Sequence, residues 1–223
     1  MIISLLKKYQ CDFYPILGKS FQKEDFCKID LNVNASDLDL NAIQTYDGLD
    51  LYIQNELKKK GAKVGIGGYL EKRVLYQQSN KYKSEAENRN IHLGVDWWSE
   101  VGTEIYSPLD GKVHSFQYND LFLDYGATII LEHELEGIVF YSLYGHLNFA
   151  SLENLEKGML IKKGEFFTSV GNRHENGGWV PHLHFQIIKD MMGKEGDFPG
   201  VTSDKYLSEF LKNCPDPNVF FVY

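Results

Sequence analysis

Between residues 103 and 188 the chain divides into short β-rich runs: 103-TEIYS-107, 112-KVHSF-116, 127-ATIILEH-133, 138-IVFYSLY-144 and 182-HLHFQII-188. Turn-forming residues separate them at 108–111, 119–126, 134–137 and 171–178. Runs of this length, rich in β-branched and aromatic residues and bounded by Gly, Pro, Asn and Asp, predict an antiparallel sheet in a mainly β (α+β) domain. Gly137 predicts a hairpin between the third and fourth runs.

The flanking segments read differently. In 48-GLDLYIQNELKKKG-61, Leu49, Tyr52, Ile53 and Leu57 share one helical face, Lys58 to Lys60 close the C-terminal end, and Gly61 stops it. A short helix is expected to end near Tyr9. A last one is expected over residues 204–212, capped by Ser203 and stopped before Pro215. The glycines of 65-GIGGY-69 read as a turn, lacking the spacing of a phosphate loop. The segment 30-DLNVNASDLDLN-41 has oxygen ligands in calcium-loop positions, but Ala35 replaces the required Gly and Asn41 the bidentate Glu. It reads as a polar loop. The expected organisation is a partly helical appendage over 1–62, a main domain over 63–200 and a helix and tail over 201–223.

Composition removes several classes of function. Apolar residues make up 43% of the 223, enough for a real core. The net charge of −8 argues against nucleic acid as a partner. No apolar run approaches the ~20 residues of a membrane span. Cys11, Cys27 and Cys214 are far apart and give no disulfide framework. The apolar patch over 1–6 is followed, not preceded, by Lys7 and Lys8. With no export signal legible, the expected location is cytoplasmic, or periplasmic or extracellular if a signal has been removed.

Chemistry concentrates in three histidine motifs. In 92-HLGVD-96 two metal-ligand types lie four residues apart. A straight strand would separate their Cα atoms by ~13 Å, so a bend at Gly94 is expected to bring them together. In 182-HLHF-185 the strand period places His182 and His184 on one face and sends Leu183, Phe185 and Ile187 to the other. The third motif, 144-YGHL-147, supplies His146 at a strand end. His114 and His133 read as structural, while His174 sits in the loop before the last strand, within reach of a cleft. Of Trp97 and Trp98, one is expected in the core and the other against a substrate groove.

Together, HxGxD, YGHL and HLHF in this order resemble the lysostaphin-type (LytM-like) zinc metallopeptidases, the peptidoglycan endopeptidases. The resemblance spans roughly residues 89–188 and includes 102-GTEIYSPLDGKV-113, similar to the family's G-T-x-V-x-A-P-x-D-G-x-V. It implies an antiparallel β-sheet groove floored by the HLHF strand. It also implies Zn2+ held by His92, Asp96 and His184, with His146 and His182 as unligated catalytic histidines. Three protein ligands leave a fourth position for water, whose pKa falls to ~7. No HExxH is present, which excludes a glutamate-base arrangement of that kind. The implied substrate is peptidoglycan or its peptide fragments. An intracellular zinc hydrolase of a small peptide or metabolite and a non-catalytic binding module are the competing readings, and all five intact positions rank the last lowest.

Several features depart from the family pattern. The loop 171-GNRHENGGWVP-181 is longer than the usual turn, Gln186 stands where Glu is common, and 196-GDFPGV-201 extends the domain. Arg73 and Arg89 are candidates to clamp a substrate carboxylate. The plainer reading is a surface arginine paired with Glu71 or Glu87.

Overall fold

The structure, a computed structural model, describes residues 2–78, 82–84 and 87–222. Helix α1 (Ile2–Tyr9) buries Ile2, Leu5 and Leu6, and strand β1 (Phe26–Ile29) follows. Helix α2 (Tyr46–Lys60) starts at Thr45, whose side chain accepts from Gly48 N, and ends at Gly61, whose φ of 64° suits a residue without Cβ. Strand β2 (Val64–Gly67) comes next, then a small hairpin of β3 (Lys83–Ser84) and β4 (Glu87–Asn88). The chain continues through β5 (Ile91–His92), β6 (Val95–Trp98), β7 (Glu104–Tyr106), β8 (Gly111–Asn119), β9 (Gly126–Leu135) and β10 (Ile138–Leu147). Strands β11 (Leu160–Ile161), β12 (Phe166–Ser169), β13 (His182–Ile188) and β14 (Val201–Thr202) precede α3 (Leu207–Asn213).

Eight strands form one sheet in the order β1-β2-β6-β13-β10-β9-β8-β11. The expected strands are all present, although β7 pairs with β12 in a separate two-stranded sheet, and Glu136 and Gly137, at φ 50° and 75°, make the β9–β10 turn. The sheet is mixed rather than purely antiparallel, because β1 and β2 run parallel. Of the glycines expected as a turn, Gly65 and Gly67 lie in β2 and Gly68 just beyond its end. A Cβ on Gly67 would come within 2.3 Å of Trp98, and one on Gly65 within 2.6 Å of Ile29, so the missing side chains clear room for packing. Residues on both sides of the 62/63 boundary are thus paired in the sheet.

The sheet's two faces differ. Leu183, Phe185 and Ile187 point into a core with Val95, Trp97, Ile129, Leu131 and Tyr144, closed by α1 and by Phe13 stacked on Phe220 at 4.4 Å. Each such buried side chain contributes about 1.5–3 kcal/mol. On the other face a second apolar cluster joins Leu49 and Ile53 of α2 to Ile29, Leu75, Trp98, Leu123 and Trp179. The 30–41 segment is a chain of side-chain turns: Asp30 accepts from Asn32 N and Asn32 from Asn34 N, each at 3.0 Å. Helix α3 begins at Leu207, later than expected, because the Ser203 hydroxyl donates to Glu87 Oε1 instead of capping. Among the described residues no helix is long and apolar enough to cross a membrane.

Candidate metal centre

The chain leaves β5 after His92, bends through Leu93 and Gly94, and enters β6. β5 pairs with β14 while β6 joins the main sheet, so the bend also changes pairing partner. A Cβ on Gly94 would stand 2.5 Å from His184 Cε1, which is why this bend needs glycine. The antiparallel register of β6 and β13 places Asp96 directly opposite His184.

The result is a near-equilateral triangle of donor atoms. His92 Nε2 lies 3.0 Å from His184 Nδ1 and 3.2 Å from Asp96 Oδ1, and the third edge, His184 Nδ1 to Asp96 Oδ1, is 3.1 Å. Donors ~2.0–2.1 Å from one tetrahedral ion stand about 3.3 Å apart, so the spacing fits a metal. Among the described residues these three form the one such cluster of His, Cys, Asp and Glu.

The outer hydrogen bonds fix the tautomers. His92 Nδ1 donates to Gly68 O at 3.0 Å, which leaves Nε2 a bare acceptor. His184 Nε2 donates to Gln186 Oε1 at 3.1 Å, which leaves Nδ1 a bare acceptor. Gln186 is itself oriented by Nε2 bonds to Pro199 O and Cys214 Sγ. Two ring lone pairs and a carboxylate oxygen therefore converge with no proton to share. A cation is the natural occupant of such a point. Charge states agree: burial, then Arg73, holds His92 down to about 4. Burial pushes Asp96 up, but His92 and Arg73 outweigh it and keep the carboxyl well below its usual range. Neutral imidazole and ionised carboxylate are the forms that bind metal.

His146 and His182 stand beside the triangle with ring centroids 4.2 Å apart. Each spends Nδ1 on a backbone carbonyl: His146 on Asn176 at 2.8 Å and His182 on Val180 at 2.7 Å. Both Nε2 atoms remain acceptors, and His182 Nε2 lies 3.8 Å from Asp96 Oδ1. Burial lowers both pKa values and keeps both rings neutral. His146 occupies an irregularity of β10 with φ 63°, a left-handed conformation that costs a non-glycine residue of order 1 kcal/mol.

The reading of Arg73 as a surface residue or substrate clamp needs correction. It is 2% exposed and pairs with Glu71 at 2.8 Å and with Asp96 Oδ2. Its charge is spent on the far oxygen of Asp96, where burial is tolerated because two carboxylates compensate it. Arg89 lines the edge of the cavity and Trp98 its wall, while Trp97 lies in the core, stacked on Phe185. His174 is exposed and does not line the cavity. Sequence reasoning did not assign roles to Gly68, Asn176 or Val180, which act through backbone carbonyls and leave no side-chain signal.

Residues 90–197 match peptidase family M23. They form a domain of that family. The M23 domain is 30% identical over 97 residues to the peptidoglycan DD-endopeptidase ShyB of Vibrio cholerae serotype O1, covering 44% of this chain and 20% of that protein. This chain thus aligns with about a fifth of ShyB's length. Among solved structures it is similar to a zinc-containing peptidase from Vibrio cholerae, at 27% identity over 49% of this chain and 31% of that one, with a TM-score of 0.36. It is also similar to LytU, at 26% identity over 59% of this chain and 79% of that one, with a TM-score of 0.37.

Proposed function

We propose that the chain is a zinc-dependent peptidase that hydrolyses an amide bond with an activated water. His92, Asp96 and His184 would hold the ion. The observation that carries this is the convergence of two imidazole lone pairs and one carboxylate oxygen within 3.2 Å of one another. When bound, the ion supplies Lewis acidity and makes water a nucleophile near neutral pH. The rest falls to the chain's own groups. His146 and His182, neutral and with Nε2 free to accept, take the proton of the attacking water. The imidazolium so formed returns that proton to the leaving amine nitrogen. Their Nδ1 bonds to Asn176 and Val180 keep both rings in the required tautomer.

We assign the chemistry to residues 63–200, with 1–62 as a cover. The default substrate is an amide in peptidoglycan or its peptide fragments, in keeping with the M23 match and the ShyB similarity. A wall substrate lies outside the cytoplasm and would require export. The burial of the site favours a second reading, a zinc hydrolase of small peptides. A non-catalytic module would have no need of five aligned donor groups. Metal content followed by a peptide-hydrolysis assay tests the proposal: one zinc per chain and turnover support it, and no metal uptake sinks it. Digestion of wall material and cell fractionation then separate the two substrate readings.

A further inference from the structure

The five functional side chains are 1–5% exposed. Four of them, Asp96, His146, His182 and His184, line a cavity of about 170 Å3. Ligand clefts usually span ~300–1,000 Å3, and a cavity of ~150 Å3 holds one benzene. The space therefore takes about one residue and the amide next to it.

Apolar side chains close it. Leu49 from α2, Leu75, Leu123 and Trp179 line the cavity, and the same four side chains line a depression of about 260 Å3 on the outer side. The cover is thus a single layer of apolar side chains, rooted in the cluster that includes Ile29, Ile43 and Ile53. The Arg173 guanidinium lies 4.0 Å from the ring centre of Tyr46 and ties the long loop before β13 to the first turn of α2. A larger groove of about 760 Å3 runs along α2, but Trp98 stands as the wall it shares with the cavity. Among the described lining residues, those that reach solvent are Tyr82, Arg89, Lys194, Asp197 and Pro199, which carry charges of both signs.

We propose that α2 and the 171–180 loop restrict this M23 domain to short soluble peptides, admitted end-on. The proposal rests on the zinc-peptidase reading and narrows its substrate. A polymer bound across its scissile bond needs an exit on each side of the histidines, and among the described lining residues only those five reach solvent. A free peptide end carries an ammonium or a carboxylate, which Asp197 or Lys194 can meet. The amide in mid-polymer carries neither. The reaction adds one water across one amide and yields one carboxylic acid and one amine.

The test compares two substrates on the zinc-loaded full chain: insoluble peptidoglycan sacculi and a panel of soluble di- to pentapeptides. Amine release from the peptides at least a hundredfold faster per bond than from sacculi is the expected result. Comparable rates, or faster digestion of sacculi, overturn the proposal and leave the zinc-peptidase reading intact. Inactivity on both with zinc bound overturns that reading and this one with it. A second readout needs no catalysis. Metal-free protein is expected to stay in the supernatant when sacculi are sedimented, and co-sedimentation abolished by excess soluble pentapeptide overturns the proposal. Leu49→Ala with Leu123→Ala perforates the cover and is expected to raise sacculus digestion at least tenfold. A folded double variant with unchanged selectivity removes the role assigned to α2.

Discussion

Arg73 grips the oxygen of Asp96 that the two histidines do not use: its Nη1 donates to Oδ2, while Oδ1 faces His92 and His184. The carboxylate is therefore held in one orientation before any ion arrives, and its charge is partly balanced. Partners of this kind typically alter metal affinity 10–100-fold. Arg73→Met is expected to weaken zinc binding by about that factor, with Arg73→Lys recovering part of it. Competition with a chromogenic chelator measures this directly, provided unfolding curves show both variants folded. Losing the cation also strands Glu71 and Asp96, at a cost of about 3–5 kcal/mol if nothing relaxes. Unchanged zinc affinity in Arg73→Met would remove the positioning role.

The division of labour proposed for the neighbouring histidines of β13 has its own signature. His184→Ala is expected to lose the metal. His182→Ala is expected to keep it and lose activity by 10²-fold or more, in the range of a missing acid–base group. Metal content by atomic emission, read beside turnover, distinguishes them. Full zinc stoichiometry in His184→Ala would refute the ligand assignment.

Gly94 makes a prediction of a different kind. The added methyl group of Gly94→Ala would lie 2.5 Å from His184 Cε1 and 2.8 Å from Phe185 O. One neighbour is backbone and cannot yield, so the imidazole must. A tenfold or greater loss of zinc affinity is expected, alongside an overpacking cost of about 1–3 kcal/mol. Wild-type affinity in this variant would show that the triangle tolerates a displaced ring.

His133 supplies a test at a site remote from the triangle. It is 2% exposed, with Nδ1 bonded to Asp110 O and Nε2 to Ser142 Oγ. Burial lowers its pKa to about 4, against smaller opposing effects of the Asp110 carbonyl and the charges of Glu132 and Asp110. The unfolded chain takes up this proton near pH 6.5, and the folded chain only near 4. The contribution to stability is complete above about 6.5, falls as pH drops toward 4, and is level below that. Between pH 7 and 5 this amounts to about 2 kcal/mol. Urea unfolding of wild type and His133→Gln at both pH values checks it: the variant is expected to show the shallower pH dependence. Parallel profiles would mean that the ring is not titrating as described.

Much of the site was legible because its chemistry is local. The i, i+2 spacing of His182 and His184 fixes their common face, and HLGVD needs a glycine bend whatever surrounds it. The parallel pairing of β1 with β2 was not legible, since it joins segments whose own patterns carry no information about direction. Nor was β2 itself: Gly65 and Gly67 have no side chains to show a period, and their reason is the bulk of Trp98 and Ile29 across from them. Arg73 read as exposed because charge ordinarily means surface, and only the fold brings Asp96, 23 positions on, to meet it. Ser203 looked like a helix cap, yet its hydroxyl is engaged by Glu87, 116 residues earlier.

The left-handed backbone at His146 carries one more consequence. A chain selected only for durability would place glycine there and relax. Keeping an imidazole at that corner sets the protein's endurance against its work, so the variants that most toughen this strand are the ones to suspect of disarming it.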